Sequence, residues 1–98
     1  MIDIGYLTSF LLAASIPQQD VDILICIAEQ ESRFKPQAIN INKNGTRDYG
    51  LFQINDVWLE ECNTTPQKLL QPHANASCAI TVYRTQGLKA WATYKHCK

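Results

Sequence analysis

Glu31 and Asp48 stand seventeen residues apart at the two ends of a run that changes character between them. Glu31 closes an apolar stretch and Asp48 follows a polar one. A carboxyl in dry surroundings keeps its proton, because desolvation disfavours the charged form, and a helix C-terminus adds to that effect. A carboxyl among amide donors stays ionised. Asp48 lies near Asn40, Asn42, Asn44 and Asn55 in the sequence. One protonated and one ionised carboxyl are what cleavage of a glycosidic bond requires. Glu31 is therefore the candidate general acid, and Asp48 the candidate nucleophile or stabiliser of a positive sugar. The plainer alternatives are a solvated Glu in a last helical turn and an Asp that only supports a hairpin. Glu29 is read as surface charge.

Around this pair, Asn42, Gln53 and Asn55 offer amides to hydroxyl and N-acetyl groups. Trp58 and Trp91 offer flat apolar faces for sugar rings, although core packing is the ordinary use of an aromatic. Trp91 is expected to have a core role in any case. Three Asn-x-Ser/Thr patterns begin at Asn44, Asn63 and Asn75. They are weak glycosylation signals, and Asn75 is read instead as a helix cap.

The elements that must position these residues can be read from spacing. Ile4, Leu7, Leu11 and Leu12 share a helical face, which predicts a first helix over 4–14. Ser15-Ile16-Pro17 breaks it. A second helix starts between Pro17 and Asp20 and ends between Glu31 and Phe34, because Pro36 disfavours helix at Lys35. Its centre, Val21 to Ala28, is apolar almost all round, which predicts a buried helix. Ile39-Asn40-Ile41-Asn42 alternates as a half-buried strand does. Asn44-Gly45 marks a hairpin turn, and Gly50 to Asn55 is the returning strand. Thr65-Pro66 opens a short helix to Leu70. Asn75 caps another that runs to Gln86, with Gly87 at its C-terminal end. Leu88, Trp91 and Tyr94 share a last short turn. The order predicts an α+β fold with the strands set apart as a lobe. One domain spans 1–98, with a helical lobe over about 1–35 and 66–98 and a β lobe over about 36–65. The cleft lies between them.

Composition narrows the function. The 98 residues carry nine basic and nine acidic side chains, for a formal net charge of zero. Nucleic acid is therefore not the expected main partner, since phosphate binding needs a basic face. No apolar run is long enough to span a bilayer, and no membrane partner is expected. The first fourteen residues lack a basic start and include Asp3, so they are read as a helix and not as a signal peptide. Cys26, Cys62, Cys78 and Cys97 form no CxxC pair and have no zinc-ligand spacing to His73 or His96. Disulfides are expected, and with them an oxidising compartment. Spacing alone leaves three pairings open.

Cys26-Ile27-Ala28-Glu29-Gln30-Glu31-Ser32-Arg33-Phe34 resembles the first catalytic segment of the C-type lysozymes, in which a Cys precedes the acid by five residues. Asp48-Tyr49-Gly50-Leu51-Phe52-Gln53-Ile54-Asn55 resembles their second, and Ala90-Trp91 with Tyr94 and Cys97 resembles their closing segment. The resemblance runs from residue 6 to 97. It implies a lysozyme-like fold, a helical lobe plus a small antiparallel β lobe, and a muramidase that cleaves peptidoglycan, with chitin oligomers as a further substrate. It implies Glu31 as proton donor, Asp48 as its partner, and substrate contacts at Asn42, Asn55, Trp58 and Trp91, with Gln53 in the cleft floor. It also implies a Cys26–Cys97 bond and, with it, Cys62–Cys78. No cofactor is expected. The calcium-binding loop of some relatives has no counterpart in Leu70-Gln71-Pro72-His73-Ala74, so no metal is expected either. The expected protein is a secreted or otherwise extracytoplasmic monomer.

The chain departs from that family in being shorter. It lacks the N-terminal Cys and the Cys-bearing tail, and its middle has lost residues. A lower cleft wall is expected from that loss. A lytic transglycosylase acting through one acid, and a lysozyme-like saccharide-binding module without turnover, remain the alternatives.

Overall fold

The computed structural model describes residues 2–98. Helix α1 spans Ile4–Ala13. The Asp3 carboxylate caps it by accepting the Gly5 N–H at 2.9 Å, and Leu7 and Leu11 are its buried face. Helix α2 spans Gln18–Ser32, with Asp20 in its first turn. Its residues Val21, Leu24, Ile27 and Ala28 are buried, but Ile23, Ile25 and Cys26 are only half-buried, and Asp22, Glu29 and Gln30 are exposed. The helix thus lies at the edge of the core and not inside it. Arg33 and Phe34 both take left-handed backbone angles (φ 55° and 59°) and end it. Phe34 turns back into the core.

Three short antiparallel strands follow: β1 (Ile39–Ile41), β2 (Arg47–Tyr49) and β3 (Ile54–Asn55), in the order β1-β2-β3. Asn40 pairs with Asp48, and Asp48 pairs with Asn55. Side chains alternate across a sheet, so these three share one face. The hairpin connection is three residues, Lys43 to Gly45, closed by Asn42 N–H to Thr46 C=O at 2.8 Å. Gly45 alone there has a positive φ (89°), the left-handed position a three-residue hairpin assigns to glycine. The expected half-burial of the first strand is not found. Ile39 and Ile41 are exposed, Ile41 by 69%: on the face they share with Tyr49 and Ile54, the core covers Tyr49 and Ile54 but does not reach the edge strand β1.

The expected strand from Gly50 to Asn55 is also interrupted. The chain returns earlier, at Arg47, and residues 50–53 form a turn. Leu51 and Phe52 are consecutive and both fully buried. A strand would send one of them to the opposite face, so the backbone coils to bury both. Gly50 (φ 74°) and Gln53 (φ 49°) supply the turning points.

Helix α3 spans Pro72–Gln86 with Pro72 in its first turn, where the missing N–H costs nothing. Asn75 is therefore not the cap; it lies inside the helix and is fully buried. Before α3, Lys68–Leu70 is a single 3-10 turn and not a helix from Thr65, though the Thr65 hydroxyl does accept the Lys68 N–H at 3.2 Å. Gly87 (φ 77°) ends α3 with its N–H on the Tyr83 carbonyl. The 3-10 turns Leu88–Ala90 and Ala92–His96 close the chain. Leu7, Leu11, Leu24, Ile27, Leu51, Phe52 and Leu69 form the centre of the core. Disulfides join Cys26 to Cys97 and Cys62 to Cys78.

Candidate active site

Glu31 is the penultimate residue of α2 and is half-buried. Burial pushes its proton affinity above the usual value. A hydrogen bond from Thr93 opposes that shift, and the charge of Asp48 adds to it. The Thr93 hydroxyl reaches Glu31 Oε2 at 2.8 Å.

Asp48 stands at the centre of β2, on the shared face of the sheet. Asn55 Nδ2 donates to Asp48 Oδ1 at 2.8 Å and to the Thr46 hydroxyl at 3.0 Å. Thr46 also receives Asn42 Nδ2 at 3.1 Å and donates to Asn44 Oδ1 at 2.7 Å. The hairpin thus holds one hydrogen-bonded chain that ends on the carboxylate.

Glu31 and Asp48 line the same cavity, of about 270 Å³, together with Gln53, Ile54, Asn55, Trp58, Val82, Ala90, Trp91 and Ala92. Four of the five expected substrate contacts are in that lining. Asn42 is not, and reaches the site only through Thr46. A larger hollow of about 840 Å³ between Lys35–Ala38 and Leu70–Pro72 contains no carboxylate, so it cannot carry acid–base chemistry on a sugar.

The amides divide into two uses. Gln53 Nε2 donates to the carbonyls of Ala38 (3.2 Å) and Gly50 (3.0 Å), and its Oε1 accepts from Asn40 at 2.6 Å. Both N–H bonds are spent on backbone, so Gln53 fastens the cavity floor and has no donor left for a hydroxyl. Both Asn55 N–H bonds are spent on the Asp48 and Thr46 side chains, and its Oδ1 accepts the Val57 N–H at 3.1 Å. Asn55 therefore orients Asp48 and starts the 3-10 turn Asp56–Trp58 that carries Trp58. Asp56 anchors that turn by accepting the Arg47 N–H and the Tyr49 hydroxyl, each at 2.8 Å.

Trp91 is buried, and its indole N–H donates to the Phe52 carbonyl at 2.9 Å. Its ring lies 6.0 Å from that of Phe52, tilted by 57°. It thus packs in the core and still borders the cavity.

Thr46 and Thr93 are the site residues that spacing does not reveal. Thr46 could have been suspected from its place on the Asp48 side of the hairpin. Thr93 lies 62 residues from Glu31 and has no local signature.

This arrangement matches proteins already described. Residues 9–93 fit the family model for a lysozyme-like domain. The chain is 41% identical to a lysozyme of Hyalophora cecropia over 76% of this chain and 62% of that protein. It is also 41% identical to the milk isozyme of lysozyme C from Equus caballus, over 76% of this chain and 68% of that one. The crystal structure of lysozyme from Equus asinus superposes with a TM-score of 0.82 at 34% identity, covering 100% of this chain and 89% of that one. The chain spans less than two thirds of the Hyalophora protein and somewhat more of the horse one. With the Glu31 and Asp48 segments folded onto one cavity, it belongs to the C-type lysozyme-like family.

Proposed function

We propose that the chain is a glycoside hydrolase, a muramidase that cleaves the β-1,4 bond between N-acetylmuramic acid and N-acetylglucosamine in bacterial peptidoglycan. The observation that carries this reading is the unequal pair on one cavity. Glu31 is half-dry and has a raised proton affinity. Asp48 is held by an amide donor on a polar sheet face. Glu31 protonates the leaving oxygen, and ionised Asp48 stabilises or traps the positive sugar. Glu31 then takes a proton from the incoming water. Lysozyme is itself the type case of this two-carboxylate chemistry, and the mechanism is that of the family.

Trp58 gives a sugar ring an apolar face, the buried Trp91 backs the cavity from the core, and Asn55 and Gln53 hold the carboxylate and the floor. The enzyme acts as a monomer outside the cytoplasm, where its two disulfides persist. The lysozyme names of its relatives support the substrate class.

Glu31→Gln keeps the size and the Thr93 contact but removes the proton donor. It is expected to abolish lysis of peptidoglycan and leave the circular dichroism unchanged. Parent products heavier by one water than 1,6-anhydro sugars are expected from hydrolysis. Full lysis by the Gln variant would sink the proposal.

A further inference from the structure

We propose that Thr93 is a positioning residue for Glu31, one whose hydroxyl keeps the acid oriented through both halves of a proton cycle. This rests on the catalytic reading of Glu31 above.

The geometry carries it. Thr93 sits in the turn Ala92–His96, which is fixed at both ends. On one side Trp91 is buried and bonded to the Phe52 carbonyl. On the other, Cys97 is bonded to Cys26, on the same helix as Glu31 and five residues before it. The position of Thr93 Oγ1 relative to the Glu31 carboxyl is therefore set by two independent anchors, and the 2.8 Å contact follows from them.

A hydroxyl has one donor and two acceptor sites. While Glu31 is ionised, Thr93 donates to Oε2. When Oε2 carries the proton, that proton can be donated to Thr93 Oγ1 by rotation of the hydroxyl alone. The carboxyl thus has a partner in either state and need not swing away between acting as acid and acting as base. The two bonds are not equal. The one to the carboxylate is charge-assisted and stronger, so Thr93 favours the ionised form and limits the upward push of burial and of Asp48.

Among the described residues, Asp48 is the other ionisable side chain lining the cavity. Glu29 and Arg33 on or beside α2, Lys89 on the preceding turn, and Lys95 and His96 on the turn of Thr93 are all exposed.

The test is a carboxyl carbon NMR titration of Glu31, together with the pH profile of kcat/KM on peptidoglycan, for the parent, T93A, T93V and T93S. Loss of a donor to the carboxylate raises the Glu31 midpoint by about half a unit to one unit in T93A and T93V. The alkaline limb of kcat/KM moves up by the same amount, since the acid must be protonated. T93S restores both, which a merely structural role would not require. T93V keeps the shape of threonine, so it carries the test should T93A fail to fold. An unmoved Glu31 midpoint in folded T93A or T93V, or no recovery in T93S, overturns the proposal. The titration needs no substrate. A parent without lytic activity that still shows the T93A shift would refute the function and spare the positioning role. An active parent with no shift would do the reverse.

Discussion

The Glu31 carboxyl is more easily ionised in the unfolded chain than in the folded one. Its reference value is 4.5, and folding raises it, chiefly through desolvation. The folded state thus binds this proton more tightly, and the stability linked to it is present below the unfolded value and lost as pH rises through the folded one. Glu31→Gln removes that dependence while keeping an acceptor for Thr93. The Gln variant should therefore melt above the parent at pH 7, and the gap should close at pH 3, as read from Tm against pH. A gap that widened toward acid would mean folding lowers the Glu31 value and would remove the basis for its role as acid. Asp48→Asn tests the other carboxyl. An Asn at 48 can still accept from Asn55, so geometry is retained and only charge is lost. Turnover should fall about a hundredfold or more, in line with the loss of one preorganised electrostatic group. Undiminished kcat in the folded variant would place Asp48 outside the chemistry.

Asn75 decides how the sheet meets the helices. Its Oδ1 accepts the Phe52 N–H at 2.9 Å, and its Nδ2 donates to the carbonyls of Tyr49 (2.7 Å) and Leu69 (2.8 Å). One buried amide thus satisfies three backbone groups, one at the end of β2, one in the turn after it and one in the turn before α3. Asn75→Ala strands all three without water, at a cost of about 3 kcal/mol or more. Gly50 packs closely against the same amide. A Cβ there would lie 2.3 Å from Asn75 Nδ2 and 2.3 Å from the Leu69 carbonyl, at a φ of 74°. Gly50→Ala should cost about 2–4 kcal/mol, or a Tm drop of roughly 10–25 °C for a domain this size. Thermal melts of both variants check this, and a Tm within a few degrees of the parent would show that the turn can relax. The same junction marks where the sequence was legible and where it was not. Helices α1 and α2, the hairpin at Gly45 and the end of α3 at Gly87 follow from local spacing and local backbone preference. So does the pairing of an apolar-helix Glu with a polar-hairpin Asp. The turn at 50–53 and the burial of Asn75 do not, because they are set by Leu51, Phe52 and Asn75 meeting across some 23 residues. Asn75 followed by Ala76 and Ser77 looks like a cap, and Pro72 was the better boundary signal. The spent N–H bonds of Gln53 and Asn55 were hidden for the same reason: their partners are backbone carbonyls and side chains brought together only by folding.

At the scale of the whole molecule, a 98-residue chain buries a modest core, and its crosslinks carry a large share of its stability. The two bonds differ in reach. Cys26–Cys97 spans 71 residues and Cys62–Cys78 spans 16. Loop-closure entropy assigns them about 4 and about 3 kcal/mol, against a total of roughly 5–15 kcal/mol for a typical domain. Removing both should leave the chain largely unfolded at 37 °C. The more telling comparison is of the single removals. The Cys62–Cys78 bond joins the segment after Trp58 to α3, and neither cysteine hydrogen-bonds to Glu31, Asp48 or their partners Thr93 and Asn55. The Cys26–Cys97 bond ties the helix of Glu31 to the turn of Thr93. C62A/C78A should lose stability, yet keep most of its kcat at 15 °C, where it is still folded. C26A/C97A should lose more stability and also several-fold in kcat under the same conditions, because the contact between Thr93 and Glu31 is freed at one of its two anchors. Calorimetry and a low-temperature lysis assay on both variants separate the two effects. Full kcat in folded C26A/C97A would mean that the buried indole of Trp91 alone suffices to place the turn, and that the long-range disulfide serves stability only.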